Sequence, residues 1–149
     1  MVQINHTISP VNAVLGNLVS KSYSDLTGYD TAAAFTVTGN VLVNVVGVVG
    51  DTAIQSTSGT TTIGVGVTGA AQAIIPNSTI DNSNFAAGDA WVDASPTVPC
   101  ELLAFPAWRL IGNGTDINLT RSVDDITQGS LTLYCWWLPL STDGNVVAA

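Results

Sequence analysis

Carboxylates are the only ionisable side chains present in number, so chemistry is sought among them first. Eleven Asp and Glu stand against three Lys and Arg and one His. Asp81, Asp89 and Asp93 share one stretch, and Asp124 and Asp125 are adjacent. Two carboxyl groups held several ångströms apart can cleave a glycosidic bond, one as acid and the other as base or nucleophile. Asp among Gly, Ser, Asn and Pro is also ordinary turn chemistry, its oxygens accepting from nearby backbone N–H groups, and that reading is favoured here. Calcium suits oxygen-rich loops, but the D-x-D-x-D-G spacing is absent. One His (His6) and two separated cysteines (Cys100 and Cys135) do not make a zinc ligand set. The cysteines are read either as one disulfide or as two thiols in a β-core. His6 lies in a polar stretch and no G-x-S-x-G occurs, which argues against a Ser-His-Asp triad. There is no P-loop and no dinucleotide fingerprint. The expectation is a chain that is not an enzyme and uses neither metal nor cofactor.

The aromatic residues carry more. Trp136 and Trp137 are neighbours in a β-type run, so their side chains point to opposite faces of a sheet. Tyr134 shares the face of Trp136. Phe85 and Trp91 sit in an irregular stretch. Tyr134, Trp136, Trp91 and Phe85 are therefore the candidate partner-interface residues, since Trp and Tyr dominate interface hot spots. Plain core packing and a sugar-stacking platform remain open for the same side chains.

These residues need strands to position them. The strongest signal is Phe35–Gly50, FTVTGNVLVNVVGVVG, two β-type runs broken by Gly39-Asn40. Apolar residues alternate with Thr and Asn up to Val45, which fits a strand buried on one face. Beyond Val45 the polar positions vanish, which predicts burial on both faces. Val and Gly are poor helix formers, so no helix competes. Short strands follow over Thr52–Thr57, Thr60–Thr68 and Ala71–Ile75, the last closed by Pro76-Asn77. Gly64 and Gly66 leave one strand face open to a close approach. Asn77–Pro99 is the longest irregular stretch, of a length associated with function or an interface. Further strands are expected over Glu101–Phe105, Trp108–Ile111, Thr115–Thr120 and Ser130–Leu138, and the tail after Pro139 is assigned none. The fold class is all-β: a single-domain antiparallel β-sandwich or jelly-roll-like barrel over 35–149. Val43, Val45, Ile63, Val65, Leu119, Leu131 and Leu133 face its core. Residues 1–34 read as an N-terminal arm or lead-in, or as a first edge strand followed by a loop.

Composition narrows the function classes. A chain of 149 residues suits one domain that folds without metal or disulfide. Charged residues make up 9%, against about 25% in a typical soluble domain. The deficit points to a surface covered by partners, or else to a Thr-rich β-domain. The net charge of −8 argues against nucleic acid, whose binding relies on Lys and Arg neutralising phosphates, and against an anionic membrane surface. The start of the chain lacks the basic and apolar regions of a secretory signal. Asn5, Asn77, Asn113 and Asn118 head N-x-[ST] sequons, which reflect an Asn- and Thr-rich composition more than glycosylation.

Two patches resemble a known group. Phe35–Gly50 and GSLTLYCWWLPLSTDGNVVAA over 129–149 resemble small structural proteins of tailed bacteriophages, with their Val-rich early strand and an aromatic, Pro-Leu, Gly-containing close. Neither patch is a catalytic signature, and 1–34 and 77–111 show no such likeness. The resemblance implies a virion component without catalytic residues, of the head decoration (cement) type. Its partner would be the major capsid protein, its place the capsid exterior, and its state a homo-oligomer such as a trimer. A tail tube or fibre component, or a carbohydrate-binding module using Tyr134 and Trp136 with Trp91 as a further candidate, are the alternatives.

Overall fold

A computed structural model describes residues 16–80, 84–96, 108–112, 114–122 and 124–149. Among them the chain is all-β, with antiparallel sheets packed as a sandwich. The first sheet runs β1 (Asn17–Tyr23), β11 (Leu131–Pro139), β3 (Val41–Val49) and then β7 (Ala90–Trp91), with β8 (Arg109–Ile111) also paired to β3. The second runs β12 (Asn145–Ala148), β2 (Ala32–Thr38), β9 (Ile117–Ser122), β5 (Thr62–Val67) and β6 (Ala70–Thr79). A ribbon of β4 (Gln55–Ser56) and β10 (Ile126–Gln128) lies apart from both.

Strand β3 is central, as its sequence predicts, and pairs with β11 over nine registered positions from Val41↔Pro139 to Val49↔Leu131. Its two faces differ more than expected. Val41, Val43, Val45, Gly47 and Val49 are buried, while Leu42, Asn44, Val46 and Val48 are only half-buried. Alternation therefore continues through the Val-rich end, and the strand is not buried on both faces. No layer covers Val46 and Val48 within the described chain. Gly39-Asn40 does not join neighbours in one sheet: β2 and β3 belong to different sheets. Gly39 has φ 63°, a conformation that glycine adopts without the Cβ penalty, and there the chain crosses the sandwich.

The core is filled by the inward rows. Phe35 and Val37 of β2, Ile63 and Val65 of β5, Ile117 and Leu119 of β9, and Leu131, Leu133 and Cys135 of β11 are all buried. Every core residue named from the sequence is among the buried ones. One end is plugged by Leu26, Ile54, Ile80 and Ile126. Backbone bonds tie those loops together: Leu26 N donates to Gly129 O at 2.8 Å and Gly28 N to Ile126 O at 2.9 Å.

Three boundaries depart from expectation. Strand β6 runs through Pro76 to Thr79. The register against β5 slips between Ile63↔Ser78 and Val65↔Ile75, so Pro76 sits in a bulge, where its missing N–H breaks no ladder bond. The close approach at Gly64 and Gly66 comes from β6 itself: a Cβ there would collide with Asn77 and with the Ala70 and Ala71 backbone. The tail forms β12, which pairs with β2 from Asn145↔Thr38 to Ala148↔Phe35 and buries Val146. Of 1–34, residues 1–15 lie outside the described ones, as does the expected strand Glu101–Phe105. Asn17–Tyr23 is an edge strand on β11.

Leu133 lies at the centre of the inner row and is fully buried. Leu133→Ala is expected to cost about 2–5 kcal/mol by urea denaturation; a loss under about 0.5 kcal/mol would place it outside the core. Burial pushes the Cys135 thiol up to about 12. The unfolded thiol ionises near about pH 8.5, so above that pH the unfolded state holds fewer protons and folding stability falls as pH rises toward 12. Burial also raises Tyr23 and Tyr29, which adds to the fall above about pH 10. The denaturation midpoint should therefore drop between pH 9 and 11, and less so in Cys135→Ala. In a Cys100→Ser chain at pH 8, a thiol reagent should miss Cys135 until the protein is unfolded.

Candidate partner interface

The carboxylates proposed for chemistry are held in turns wherever they are described. Asp93 Oδ1 accepts from Ser95 N at 2.7 Å, and Asp89 Oδ2 accepts from Ala86 N at 2.8 Å. Asp125 pairs with Arg121 at 3.4 Å. Asp124 Oδ2 accepts from Ser58 Oγ, and its carbonyl accepts from Arg121 Nη1 at 2.7 Å. Asp81, His6 and Cys100 lie outside the described residues. Among the described residues no group of three or more His, Cys, Asp or Glu side chains gathers, and no helix is long and apolar enough to cross a membrane.

The four aromatic candidates separate into two pairs. Phe85 and Trp91 are fully buried and meet edge to face, their ring centroids 5.4 Å apart. They are core residues of this fold and present no surface to a partner. Trp91 reaches inward because β7 pairs it with Gly47. A Cβ on Gly47 would lie 2.8 Å from the indole, so the glycine makes room for the ring. The indole N–H donates to Ser78 Oγ at 2.7 Å, and that hydroxyl donates to Asp93 O at 2.9 Å. Phe85 has φ 63°, a strained position for an aromatic residue, accepted where its ring fills the core beside Trp91. The sequence reading of 77–99 missed this because Pro76-Asn77 looks like a stop, and nothing local marks a loop that folds its aromatic residues inward.

Tyr134 and Trp136 lie together on the outer face of the first sheet. Both are half-buried, with ring centroids 6.4 Å apart and planes tilted by 35°. Trp137, on the other face, packs against the core. Cross-strand register extends the outer face: Leu18 lies opposite Trp136, and Trp136 opposite Asn44. Tyr134 lies opposite Val46, and Leu42 lies between Leu138 and Leu110. Leu18 is 56% exposed and Leu110 65%. Sequence reasoning found Tyr134 and Trp136 but not Leu18 and Leu110, because only the β1–β11 and β3–β8 pairings bring them alongside.

The second sheet presents a different outer face. Thr36 and Thr38 of β2 and Asn118, Thr120 and Ser122 of β9 alternate with its buried row. Hydroxyl ladders hold it, with Thr120 Oγ1 donating to Gly64 O at 3.1 Å and Thr62 and Ser122 hydroxyls 2.5 Å apart. The first outer face thus mixes aromatic and aliphatic groups with Ser20, Ser22, Thr132 and Asn44, and the second is richer in Thr, Ser and Asn but carries the exposed Val147 opposite Thr36.

No family model and no curated protein matches the chain. Among solved structures, a chain described as "Cyanophage Pam1 capsid asymmetric unit" aligns with a TM-score of 0.47 at 17% sequence identity, over 82% of this chain and 82% of that one. That similarity is too distant to assign a family.

Proposed function

We propose that the chain is a non-enzymatic structural protein of a tailed-bacteriophage virion. In this reading it is a decoration (cement) protein that seats on the outside of the major capsid protein's shell and stabilises the head. The observation that carries the reading is where the two phage-like patches fall. Phe35–Gly50 holds most of β2 and all of β3, and 129–149 holds β11 and β12. These strands pair with each other, β3 with β11 and β2 with β12. The resembling stretches therefore pair as the centre of the first sheet and as one edge of the second, and are not scattered segments. The low charge and the apolar outer face support a role that works by contact. Each copy needs only a modest affinity, because a subunit that binds the intact shell stabilises it by mass action.

A second reading, a carbohydrate-binding module, draws on the half-buried Tyr134–Trp136 pair. The two readings part on one measurement. Co-sedimentation with empty, expanded phage heads assembled without this chain should show binding that changes less than about threefold between 50 mM and 500 mM salt, since attachment through uncharged groups is weakly screened. Binding that collapses with salt would show an electrostatic attachment. No binding to heads, together with a signal on a glycan array, would transfer the weight to the carbohydrate module.

A further inference from the structure

We infer that one loop end of the sandwich is closed by an electrostatic latch. Arg121 holds the β4–β10 ribbon and its apolar plug shut against the mutual repulsion of the carboxylates around it, and this end opens as one unit while the sheets stay folded. The inference concerns the molecule's own motion and stands whether or not the chain meets a capsid. Three observations lead to it.

The ribbon has little backbone hold. It pairs with neither sheet. Its own ladder is two registered pairs, Ile126↔Ser56 and Gln128↔Gln55, with a shift between them. The plug of Leu26, Ile54, Ile80 and Ile126 keeps it in place, together with single bonds to loops from distant parts of the chain. Leu26 N donates to Gly129 O and Gly28 N to Ile126 O. Thr57 N donates to Asp125 O at 3.3 Å, and Ile54 N to Phe85 O at 3.1 Å. Local opening is easiest where few ladder bonds must break.

Negative charge crowds the same end. Asp25 and Asp30 lie between β1 and β2, and Asp124 and Asp125 between β9 and β10. The loop of Asp25 is bonded to β10 itself, with Thr27 Oγ1 donating to Thr127 O at 3.1 Å. Of the chain's three Lys and Arg, Lys21 donates to Ala149 O and Arg109 Nε to Ala73 O. Both ion pairs among the described residues belong to Arg121, whose Nη2 lies 3.6 Å from Asp30 and Nη1 3.4 Å from Asp125. One cation thus faces carboxylates from two loops. Without it those like charges repel.

The guanidinium joins the loops directly, and its hold is incomplete. Nη1 also donates to Asp124 O at 2.7 Å, and the backbone N of Arg121 donates to Thr31 Oγ1 at 3.2 Å. Asp124 carries the connection onward by accepting from Ser58 Oγ, next to the ribbon's β4. Yet Arg121 Nε is buried without a hydrogen-bond partner, which costs the folded state free energy. The Asp30 and Asp125 side chains are 83% and 73% exposed, and ion pairs with exposed groups are weak. The closed end is therefore held by a small margin, below that of the sheets.

The test is amide hydrogen exchange of the whole chain followed by NMR. In wild type the amides of Leu26, Gly28 and Thr57 should share one opening free energy, lower than that of the β3–β11 amides. Arg121→Met should speed exchange at those three at least about 10-fold and leave the β3–β11 amides within about twofold. Adding Asp30→Asn and Asp125→Asn to Arg121→Met should slow exchange again by at least about threefold, since the repulsion between those side chains is then gone. Loop amides that exchange together with the β3–β11 amides in wild type would overturn the separate opening unit, whether or not Arg121→Met folds. Exchange in Arg121→Met that stays within about twofold of wild type at all three amides would overturn the latch. A rise that the two Asn substitutions leave in place would show that hydrogen bonding alone holds the end, and would overturn its electrostatic character.

Discussion

The β3–β11 ladder is the constraint on which the other elements depend. Nine consecutive pairs set which side chains of each strand point inward. A slip of one residue would exchange the faces of a strand, burying Asn44 and Leu42 and expelling Val43 and Val45. On the other side of β3, shape holds the register of β7. The inner row of β3 is valine except at Gly47, and the Trp91 indole lies over that gap. Any other register would set the indole against a branched side chain. On the far side of β11, β1 takes its own register from the same ladder, from Asn17↔Trp137 to Tyr23↔Leu131. The outer face is composed by these pairings.

The parts of the fold that were legible in the sequence have local signals. Alternation in 41–45 and 131–137 names the buried rows because a strand repeats every two residues, and those rows are buried as read. The parts that were not legible depend on contacts distant in the chain. Val46 and Val48 look like part of a doubly buried strand, yet both are only half-buried. Gly39-Asn40 carries the same local signal whether it joins neighbours in one sheet or crosses between two. Here the crossing is held by the far end of the chain: Asn40 N donates to Ser141 Oγ at 2.8 Å, and Asn40 O accepts from Leu140 N at 2.8 Å. Those partners lie about a hundred positions away, beyond any sequence window.

The candidate site divides along the same line. Tyr134 and Trp136 were readable as a shared face because they are two residues apart on one strand. Phe85 and Trp91 were drawn into the same list by residue type alone. Their burial follows from a short pairing, Gly47↔Trp91 and Val48↔Ala90, that no periodicity announces. Residue type identifies side chains able to dominate an interface. Whether they reach one depends on which glycine the fold places beneath them.

Among the described residues every Asp lies outside the strands. Spreading the carboxylates evenly would place some on each face, and covering a carboxylate costs several kcal/mol even after the protein relaxes. Concentrating them on loops keeps that cost off both sheets. The second sheet stays wetted by Thr, Ser and Asn, whose hydroxyls are already engaged along the strands. The first sheet keeps apolar area that water solvates poorly, at about 25 cal/mol per Å² of surface removed from it. Under the proposed function a contact of that kind would be weak for one copy, little screened by salt, and additive over a lattice, because each copy would gain the same small free energy wherever the lattice repeats its site.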